Sequence, residues 1–266
     1  MSIIDQFDLS GRTVIVTGAG TGLGREMAIA LARAGCDIVG VGRREAPIVE
    51  LEPEITKLGR RYLPLPGTDV TDSAQVAQMA ERAIAEMGSI WALINNVGGG
   101  SAGAGKTFIE LTDEDWREGM DTNLTSAFFC SRALVPHMLE QGGGRIINVS
   151  SVWGFRGGRN NLMYPVAKGG ILQLTKALAM TYARENIRCT CIAPGQFPKT
   201  DDQALKDLIG SKQPGGRVAA LHEIGPLAVF LCSAASDYIS GETIAIDGGT
   251  LSGGLLPAGV APGPSN

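Results

Sequence analysis

Three side chains in the second half of the chain have types and spacing suited to proton transfer. Tyr164 and Lys168 stand four residues apart, so on a helix they share one face and lie one turn from each other. An ammonium group beside a phenol favours the phenolate, which predicts a lowered pKa for Tyr164 and a general acid and base usable near neutral pH. Ser151 precedes the tyrosine by thirteen residues. Its hydroxyl could hydrogen-bond a carbonyl oxygen and stabilise developing oxyanion charge.

A glycine-rich turn near the N-terminus predicts a phosphate-binding site. The apolar run at residues 13–17 is typical of a buried parallel strand, and it leads directly into GAGTGLG at residues 18–24 and then into a helical pattern. In this context Gly18 permits a tight turn, Gly22 lets the backbone approach a pyrophosphate, and Gly24 allows the helix to pack closely on the strand. Unpaired N–H groups at the helix N-terminus would attract the anion. The alternative is a structural glycine turn without a ligand.

The elements that would position these residues alternate between strand-like and helix-like patterns. Strand-like runs occupy residues 13–17, 37–41, 62–65, 91–95, 145–150, 188–193 and 243–247, and helical patterns occupy residues 24–34, 73–87, 113–139, 163–185 and 222–234. This alternation predicts an α/β fold, a single doubly wound Rossmann domain with a seven-stranded parallel sheet and helices on both faces. Ligands in such sheets bind at the carboxyl ends of the strands, where the glycine turn and Ser151 both fall. Pro47 and Pro53 predict that a helix between residues 44 and 58 starts late or is broken.

We expect one domain, residues 1–249, to contain both the dinucleotide site and the substrate site, because no repeat or linker divides it. Residues 250–266 are rich in glycine, proline and alanine. That composition predicts a tail that is poorly ordered or packs on a neighbouring subunit. The glycine-alanine run at residues 98–105 predicts a flexible loop beside the site, either a mobile wall of the substrate pocket or simply a long connection.

The motifs, in their order along the chain, resemble those of the classical short-chain dehydrogenases/reductases over about residues 9–249. The resemblance implies a catalytic tetrad of Asn123, Ser151, Tyr164 and Lys168, in which Asn123 anchors a water that passes protons onward from the lysine. It implies cofactor contacts from the following residues: Gly18, Thr21, Gly22, Leu23, Gly24, Arg43, Asp69, Val70, Asn96, Val97, Gly98, Tyr164, Lys168, Pro194, Gly195 and Thr200. Val97 stands where alanine is usual, and its larger side chain is expected to shift the adenosine slightly without abolishing binding.

The end of the second predicted strand bears on the choice between NAD and NADP. NAD-preferring sites place an acidic residue there for the ribose hydroxyls, but residues 38–44 read IVGVGRR and contain no acid. Arg43 can pair with a 2′-phosphate, which favours NADP. NAD stays open as the alternative, because Thr21 adds no second basic residue to the glycine turn and because Arg43 and Arg44 could equally be solvated loop charges.

The residues and the resemblance together imply an NAD(P)-dependent oxidoreductase that interconverts a secondary alcohol and a ketone by hydride transfer. Tyr164 would exchange the proton, Ser151 would hydrogen-bond the substrate oxygen, and Lys168 would hold the nicotinamide ribose. Trp153 and Arg159 are expected to line the substrate site. Arginines near a site suit carboxylates, which favours a sugar acid or another anionic hydroxy or keto compound, unless these arginines face solvent or a neighbouring subunit.

Scaffold segments at residues 34–40, 58–63 and 236–241 look like those of the 2-dehydro-3-deoxygluconate 5-dehydrogenases of this family. That likeness lies outside the substrate pocket and supports kinship alone. Two alternatives stay open: a 3-oxoacyl-thioester reductase, which shares every catalytic motif, and a non-catalytic dinucleotide-sensing regulator. Relatives of the second kind typically lose the tyrosine or the lysine, and this chain keeps both.

Composition excludes several other classes. The formal net charge is −4, and no basic run exceeds two residues, so nucleic-acid binding is not expected. The five cysteines contain no Cys-x-x-Cys pair and are expected to be reduced packing residues of a cytoplasmic protein. His137 and His222 have no metal-ligand spacing, so no metal is expected. No signal peptide or membrane span is expected, and the family resemblance implies a homotetramer or homodimer acting on a small molecule.

Overall fold

The computed structural model describes residues 2–100 and 102–253 of the chain. Seven parallel strands form one sheet in the order β3-β2-β1-β4-β5-β6-β7. The strands are β1 (Thr13–Thr17), β2 (Asp37–Gly42), β3 (Tyr62–Pro66), β4 (Ala92–Asn95), β5 (Gly144–Val149), β6 (Ile187–Pro194) and β7 (Thr243–Ile246). The strand order reverses between β1 and β4, which pair directly, and a crevice for ligands opens at such a switch point. The predicted seven-stranded doubly wound fold is confirmed.

Helices cover both faces of the sheet. They are α1 (Gly22–Arg33), α2 (Glu45–Val49), α3 (Glu52–Lys57), α4 (Ser73–Met87), α5 (Asp113–Met120), α6 (Ser126–Glu140), α7 (Met163–Tyr182), α8 (Gln203–Gly210), α9 (Gly225–Cys232) and α10 (Thr250–Gly253). A π-helical turn, Asp121–Thr125, joins α5 to α6 without a break. None of the helices that the structure describes is long and apolar enough to cross a membrane.

The centre of the sheet is buried on both faces because its inner strands are largely apolar. Every residue of β1 is buried, with Val14 and Val16 in the core on the α1 and α9 side. Ile15 points to the opposite face and packs with the apolar residues of α4 and α6. Alternate residues of a strand point to opposite faces, so the continuous apolar run of β1 fills both layers. These two layers hold the carboxyl edge of the sheet in place.

Two of the three irregular helical segments differ from their predicted form, and one matches it. The pattern at residues 113–139 predicts one helix, whereas the structure inserts the π turn, which accommodates one extra residue per turn at Asn123. The segment containing Pro47 and Pro53 is broken into α2 and α3, as predicted, with Pro53 in the first turn of α3. The pattern at residues 222–234 forms a regular helix only over α9, between two 3-10 turns.

The structure describes only the first four residues of the predicted tail. Residues 250–253 form α10, and the remainder of the predicted tail, residues 254–266, lies outside the described residues. Ser101, within the predicted flexible loop at residues 98–105, also lies outside them.

Candidate active site

A cavity of about 700 Å³ opens at the carboxyl edge of the sheet, where the loops after β1 to β6 meet. Most of the residues predicted for the site line it: Gly18, Thr21, Leu23, Arg43, Asp69, Val70, Asn96, Val97, Gly98, Ser151, Trp153, Tyr164, Lys168, Pro194 and Gly195. The predicted residues that do not line it are Gly22, Gly24, Asn123, Arg159 and Thr200. The volume lies within the range of roughly 300–1,000 Å³ typical of small-molecule and cofactor sites.

The glycine turn between β1 and α1 has the conformation that only glycine adopts easily. Gly18 has φ +67° and Gly22 has φ +58°, both in the left-handed region. Gly24 packs against the carbonyl oxygen of Gly18, so a Cβ there would collide with the turn. The side-chain amide of Asn96 donates to the Thr17 carbonyl at 2.9 Å and thereby fastens the loop after β4 to the same turn.

The N-terminus of α1 is open toward this turn. Thr21 is the N-cap residue, and its side chain accepts no hydrogen bond from the first turn of the helix. The first N–H groups of an α-helix have no partner within the helix, and its dipole places partial positive charge there. Glycines that a Cβ would block, an uncapped helix N-terminus and a cavity of this volume fit the diphosphate of a dinucleotide.

Two arginines follow β2 and line the cavity. The Arg43 side chain is 74% exposed, and its Nη1 lies 3.8 Å from Asp69 Oδ2. Arg44 Nη2 donates to Thr21 Oγ1 at 3.3 Å, so this second cation lies against the glycine turn. Our sequence reasoning assigned Arg43 alone. Arg44 could have been included as well, because it immediately follows Arg43 at the N-cap of α2.

Tyr164 and Lys168 lie on the first two turns of α7, and Ser151 follows β5. Lys168 is 2% exposed, and its ammonium donates to the Val149 carbonyl at 2.9 Å. The same ammonium lies 5.7 Å from the centre of the Tyr164 ring. The Ser151 hydroxyl accepts from the Trp153 N–H at 3.2 Å. The structure therefore brings the predicted Ser–Tyr–Lys cluster to one wall of the cavity.

The pKa of Tyr164 differs from the prediction. Burial raises the pKa of the phenol, and the neighbouring Ser151 hydroxyl counteracts only part of this effect. Burial also lowers the pKa of Lys168 to about 8, while Cys191 acts weakly in the opposite direction. The predicted fall in the tyrosine pKa was wrong for this arrangement, because burial is the larger influence and Lys168, whose ammonium donates to the Val149 carbonyl, is not among the groups that lower the pKa.

Asn123 lies in the π turn, outside the lining of the cavity, and is 3% exposed. Its Oδ1 accepts from the Gly99 N–H at 2.8 Å. Its Nδ2 donates to the carbonyls of Gly99 and Gly119, both at 3.1 Å. The amide thus fixes the loop after β4 to the helix. A Cβ on Gly98 would lie 2.6 Å from Lys168 Nζ, so this fixed loop must stay close to the lysine.

The segment after Ser151 contributes one further residue to the cavity lining. Trp153 lines the cavity, whereas Arg159 is exposed and lies outside the lining. Arg156 is the arginine that stacks on Trp153, with Cζ 4.8 Å from the ring centre. Its Nε is buried and has no hydrogen-bond partner among the residues that the structure describes. The sequence signalled an arginine in this segment but could not select between the two.

The loop after β6 forms the remaining wall. Gly195 and Lys199 line the cavity, but Thr200 does not, and the Thr200 hydroxyl accepts from the Asp202 N–H at 3.1 Å, just before α8. Lys199 is a lining residue that our sequence reasoning missed. It stands one position before the threonine that the motif comparison selected, and no motif marked it.

A doubly wound sheet whose first βα turn fits a diphosphate, with a Ser–Tyr–Lys cluster on the same cavity, defines the class of dinucleotide-binding oxidoreductases. Comparisons with known proteins narrow this class. The short chain dehydrogenase family profile matches residues 12–207. Over 256 residues, the chain is 39% identical to a 2-dehydro-3-deoxy-D-gluconate 5-dehydrogenase of Dickeya dadantii (strain 3937), covering 94% of this chain and 99% of that protein.

Two further proteins are informative. The chain is 32% identical over 247 residues to the 3-oxoacyl-(acyl-carrier-protein) reductase of Escherichia coli (strain K12), covering 91% of this chain and 98% of that one. A crystal structure of a gluconate 5-dehydrogenase from Burkholderia cenocepacia J2315, in complex with NADP and tartrate, superposes with a TM-score of 0.86 at 33% identity and covers 94% of this chain and 99% of that one. The chain belongs to the short-chain dehydrogenase family and is an oxidoreductase that acts on CH–OH groups.

Proposed function

We propose that this oxidoreductase is an NADP-preferring enzyme that interconverts a hydroxyl and a keto group on a sugar acid or a related anionic compound. The observation that carries the proposal is the single cavity that joins Ser151, Tyr164 and Lys168 to the glycine turn and to Arg43 and Arg44. One site therefore holds a proton-transfer cluster, a place for a diphosphate and two cations.

The proposed mechanism assigns one task to each residue of the cluster. Tyr164 gives a proton to the ketone oxygen in reduction and takes one from the alcohol in oxidation. Ser151 donates a hydrogen bond to that oxygen and stabilises its negative charge. Lys168, held by the Val149 carbonyl, positions the nicotinamide ribose. A bound nicotinamide supplies or accepts the hydride.

Asn123 acts in this proposal as a positioning residue. Its amide is occupied by Gly99 and Gly119, so the side chain keeps the loop after β4 against Lys168. The role expected from the family resemblance, in which Asn123 anchors a proton-relaying water, stays a prediction. Likewise the cofactor contact expected of Thr200 stays a prediction, since Thr200 lies outside the cavity lining.

The preference for NADP rests on charge at the end of β2. No carboxylate residue follows that strand before Glu45, and Arg43 and Arg44 both line the cavity there. A doubly charged 2′-phosphate gains from each cation, whereas the free ribose hydroxyls of NAD gain little. The related gluconate 5-dehydrogenase was crystallised with NADP, which supports the proposal.

The choice of an anionic substrate rests on Arg156 and on the relatives. The Arg156 guanidinium lies over the ring of Trp153, a residue of the cavity wall, although Arg156 does not itself line the cavity. It makes no ion pair within the described part of the chain. A carboxylate is the ordinary partner of such a group. The Dickeya relative is named for a sugar acid, and the Burkholderia structure holds tartrate, a hydroxy dicarboxylate.

A 3-oxoacyl-thioester reductase is the alternative activity. The Escherichia coli reductase is less similar to this chain, at 32% identity, than the sugar-acid dehydrogenase at 39%. A non-catalytic dinucleotide sensor is disfavoured because Tyr164 and Lys168 are both present and share the cavity with Ser151.

We propose further that residues 1–249 act as a single domain and that the chain forms a homodimer or homotetramer through α5, α6 and α7. Large apolar side chains are exposed on these helices, among them Trp116, Phe128 and Met180, the last at 84%. Large apolar side chains exposed on the same set of helices support a subunit interface there. All five cysteines are unpaired, which supports a reducing, cytoplasmic environment.

The test is a thermal-shift measurement with NADPH and NADH at matched concentrations, followed by turnover assays. A ligand that binds only the folded state raises the melting temperature. We expect the larger shift with NADPH, and then turnover of keto sugar acids that exceeds turnover of a 3-oxoacyl thioester. A larger shift with NADH would contradict the cofactor preference, and faster reduction of the thioester would replace the proposed substrate class.

A further inference from the structure

A lysine that the proposed mechanism does not use lies over the glycine turn. Lys199 belongs to the loop between β6 and α8 and lines the cavity. Its strand, β6, is three places from β1 in the sheet, yet a Cβ added to Gly22 would lie 2.8 Å from Lys199 Nζ and would collide with Cε. The side chain therefore crosses the mouth of the cavity and places its ammonium beside the first residue of α1.

This position is unfavourable for a cation that has no anion nearby. The uncapped N-terminus of α1 presents free N–H groups and the positive end of the helix dipole. Arg44 approaches the same turn from the β2 side through Thr21. Within residues 2–100 and 102–253, Lys199 forms no ion pair with any carboxylate. Positive groups that converge on one point without a carboxylate are arranged for an anionic ligand between them.

We propose that Lys199 binds the diphosphate of the nicotinamide dinucleotide and so fastens the loop after β6 across the bound cofactor. This inference rests on the proposed dinucleotide function. The diphosphate is the anion in question because a glycine turn that opens a helix is the place where such sheets hold it. The diphosphate is common to NADP and NAD. The contribution of Lys199 is therefore the same for both cofactors, whereas that of Arg43 depends on the 2′-phosphate.

The loop gives this contact a second consequence. Gly195 and Lys199 bracket a short segment that forms one wall of the cavity, and the segment continues through Thr200 into α8. An ammonium anchored on the diphosphate would hold this segment closed over the nicotinamide side. A substitution of Lys199 should therefore weaken cofactor binding without changing the Ser–Tyr–Lys cluster, which belongs to other elements.

The experiment measures dissociation constants by calorimetry for NADPH, NADH and ADP-ribose, which share the diphosphate, and for adenosine 2′-monophosphate, which lacks it. The proteins are the wild type, Lys199→Met, Lys199→Arg and a matched control, Lys212→Met. Lys212 is an exposed lysine just after α8 that lines no part of the cavity. Its substitution removes the same charge from the same region.

We expect Lys199→Met to weaken NADPH, NADH and ADP-ribose alike by about tenfold, equivalent to about 1.4 kcal/mol. Adenosine 2′-monophosphate should be unaffected, Lys199→Arg should retain most of the affinity, and Lys212→Met should match the wild type. Because Lys199 is exposed and solvent screens its repulsion from the helix N-terminus, the variants should melt close to the wild-type temperature without ligand.

Unchanged affinity of Lys199→Met for NADPH and ADP-ribose would overturn the inference while leaving the proposed function intact. A loss confined to NADPH would also overturn it, by assigning the lysine to the 2′-phosphate. An equal loss of affinity in Lys212→Met would show that any positive charge in this region has the same effect, and this result would also overturn the inference. Failure of the wild-type protein to bind either NADPH or NADH would instead refute the proposed function, and this inference with it.

Discussion

The buried ammonium of Lys168 should make the stability of this protein rise with pH in the alkaline range. Its pKa is lowered in the folded state to about 8, from an ordinary value of 10.5 that holds in the unfolded chain. Between these two values the unfolded state binds the proton and the folded state does not. Stability rises with pH wherever the unfolded state binds more protons, so this group destabilises the fold below pH 8 and the penalty disappears above about pH 10.

The size of the effect follows from the two pKa values. The difference between 10.5 and about 8 corresponds to about 3 kcal/mol at full titration, at roughly 1.4 kcal/mol per pH unit. Because the lysine is still partly protonated at pH 8, about 2 kcal/mol of this should appear between pH 8 and pH 10. No discount for solvent screening is needed, since the side chain is 2% exposed.

The assay compares urea unfolding of the wild type with that of Lys168→Met at several values between pH 7 and pH 10. Methionine keeps an unbranched chain of similar length and carries no charge. The cysteine thiols and, to a smaller extent, Tyr164 titrate in this range in the unfolded chain, whereas burial raises their pKa in the fold. They occur in both proteins, so their contributions cancel in the difference apart from the interaction between Lys168 and Cys191. Between pH 8 and pH 10 the free energy of unfolding of the wild type should rise by about 2 kcal/mol relative to that of the variant. A difference that stays flat with pH would show that the lysine keeps its charge in the fold and would refute the reasoning.

Three other predictions concern the site. Tyr164→Phe should lower kcat by roughly 10²–10⁴-fold while the dissociation constant for NADPH, measured by fluorescence titration, stays at the wild-type value; wild-type turnover would remove Tyr164 from the mechanism. The double variant Arg43→Met, Arg44→Met should weaken NADPH by about tenfold or more and leave NADH nearly unchanged, and an equal loss for both would contradict the 2′-phosphate assignment. Asn123→Ala should lower the free energy of unfolding by about 1–3 kcal/mol in urea denaturation, because one buried and two partly buried backbone groups lose their partner; wild-type stability would show that Asn123 does not fasten the loop.

The sheet and several helices could be predicted because their signals are local. β1 has the predicted bounds Thr13–Thr17, since its β-branched apolar run is bounded by turn residues. α4 has the predicted bounds Ser73–Met87, where Asp72 caps the first turn by accepting from the N–H groups of Ala74 and Gln75. In both elements the local preference and the final packing agree.

The π turn and α8 could not be predicted on the same grounds. The apolar pattern at residues 113–139 is continuous, and the turn at Asn123 depends on hydrogen bonds to Gly99, twenty-four residues earlier, which no periodicity records. α8 spans eight residues, and the cap at Asp202 was its main local signal. The bounds of a helix or strand could therefore be predicted from the sequence where the contacts that stabilise it are local.

The same distinction separates the residues of the site. Ser151 follows a buried strand and Tyr164 begins a long helix, so their meeting at the edge of the sheet follows from topology alone. Arg156 directly follows a 3-10 turn and Lys199 lies in a loop, where a shift of one to three residues decides which side chain lies in or beside the cavity. The arginines in the segment after Ser151 predict Arg159, and the family motif predicts Thr200. The structure instead places Arg156 against Trp153 of the cavity wall and Lys199 in the cavity lining. Arg156 and Lys199 are both cations without an ion-paired carboxylate in the described chain. The proposed contact with the cofactor diphosphate depends on Lys199, and the proposed anionic substrate depends on Arg156. The sequence predicts neither of these positions, so binding measurements on variants of these two residues are the most direct test.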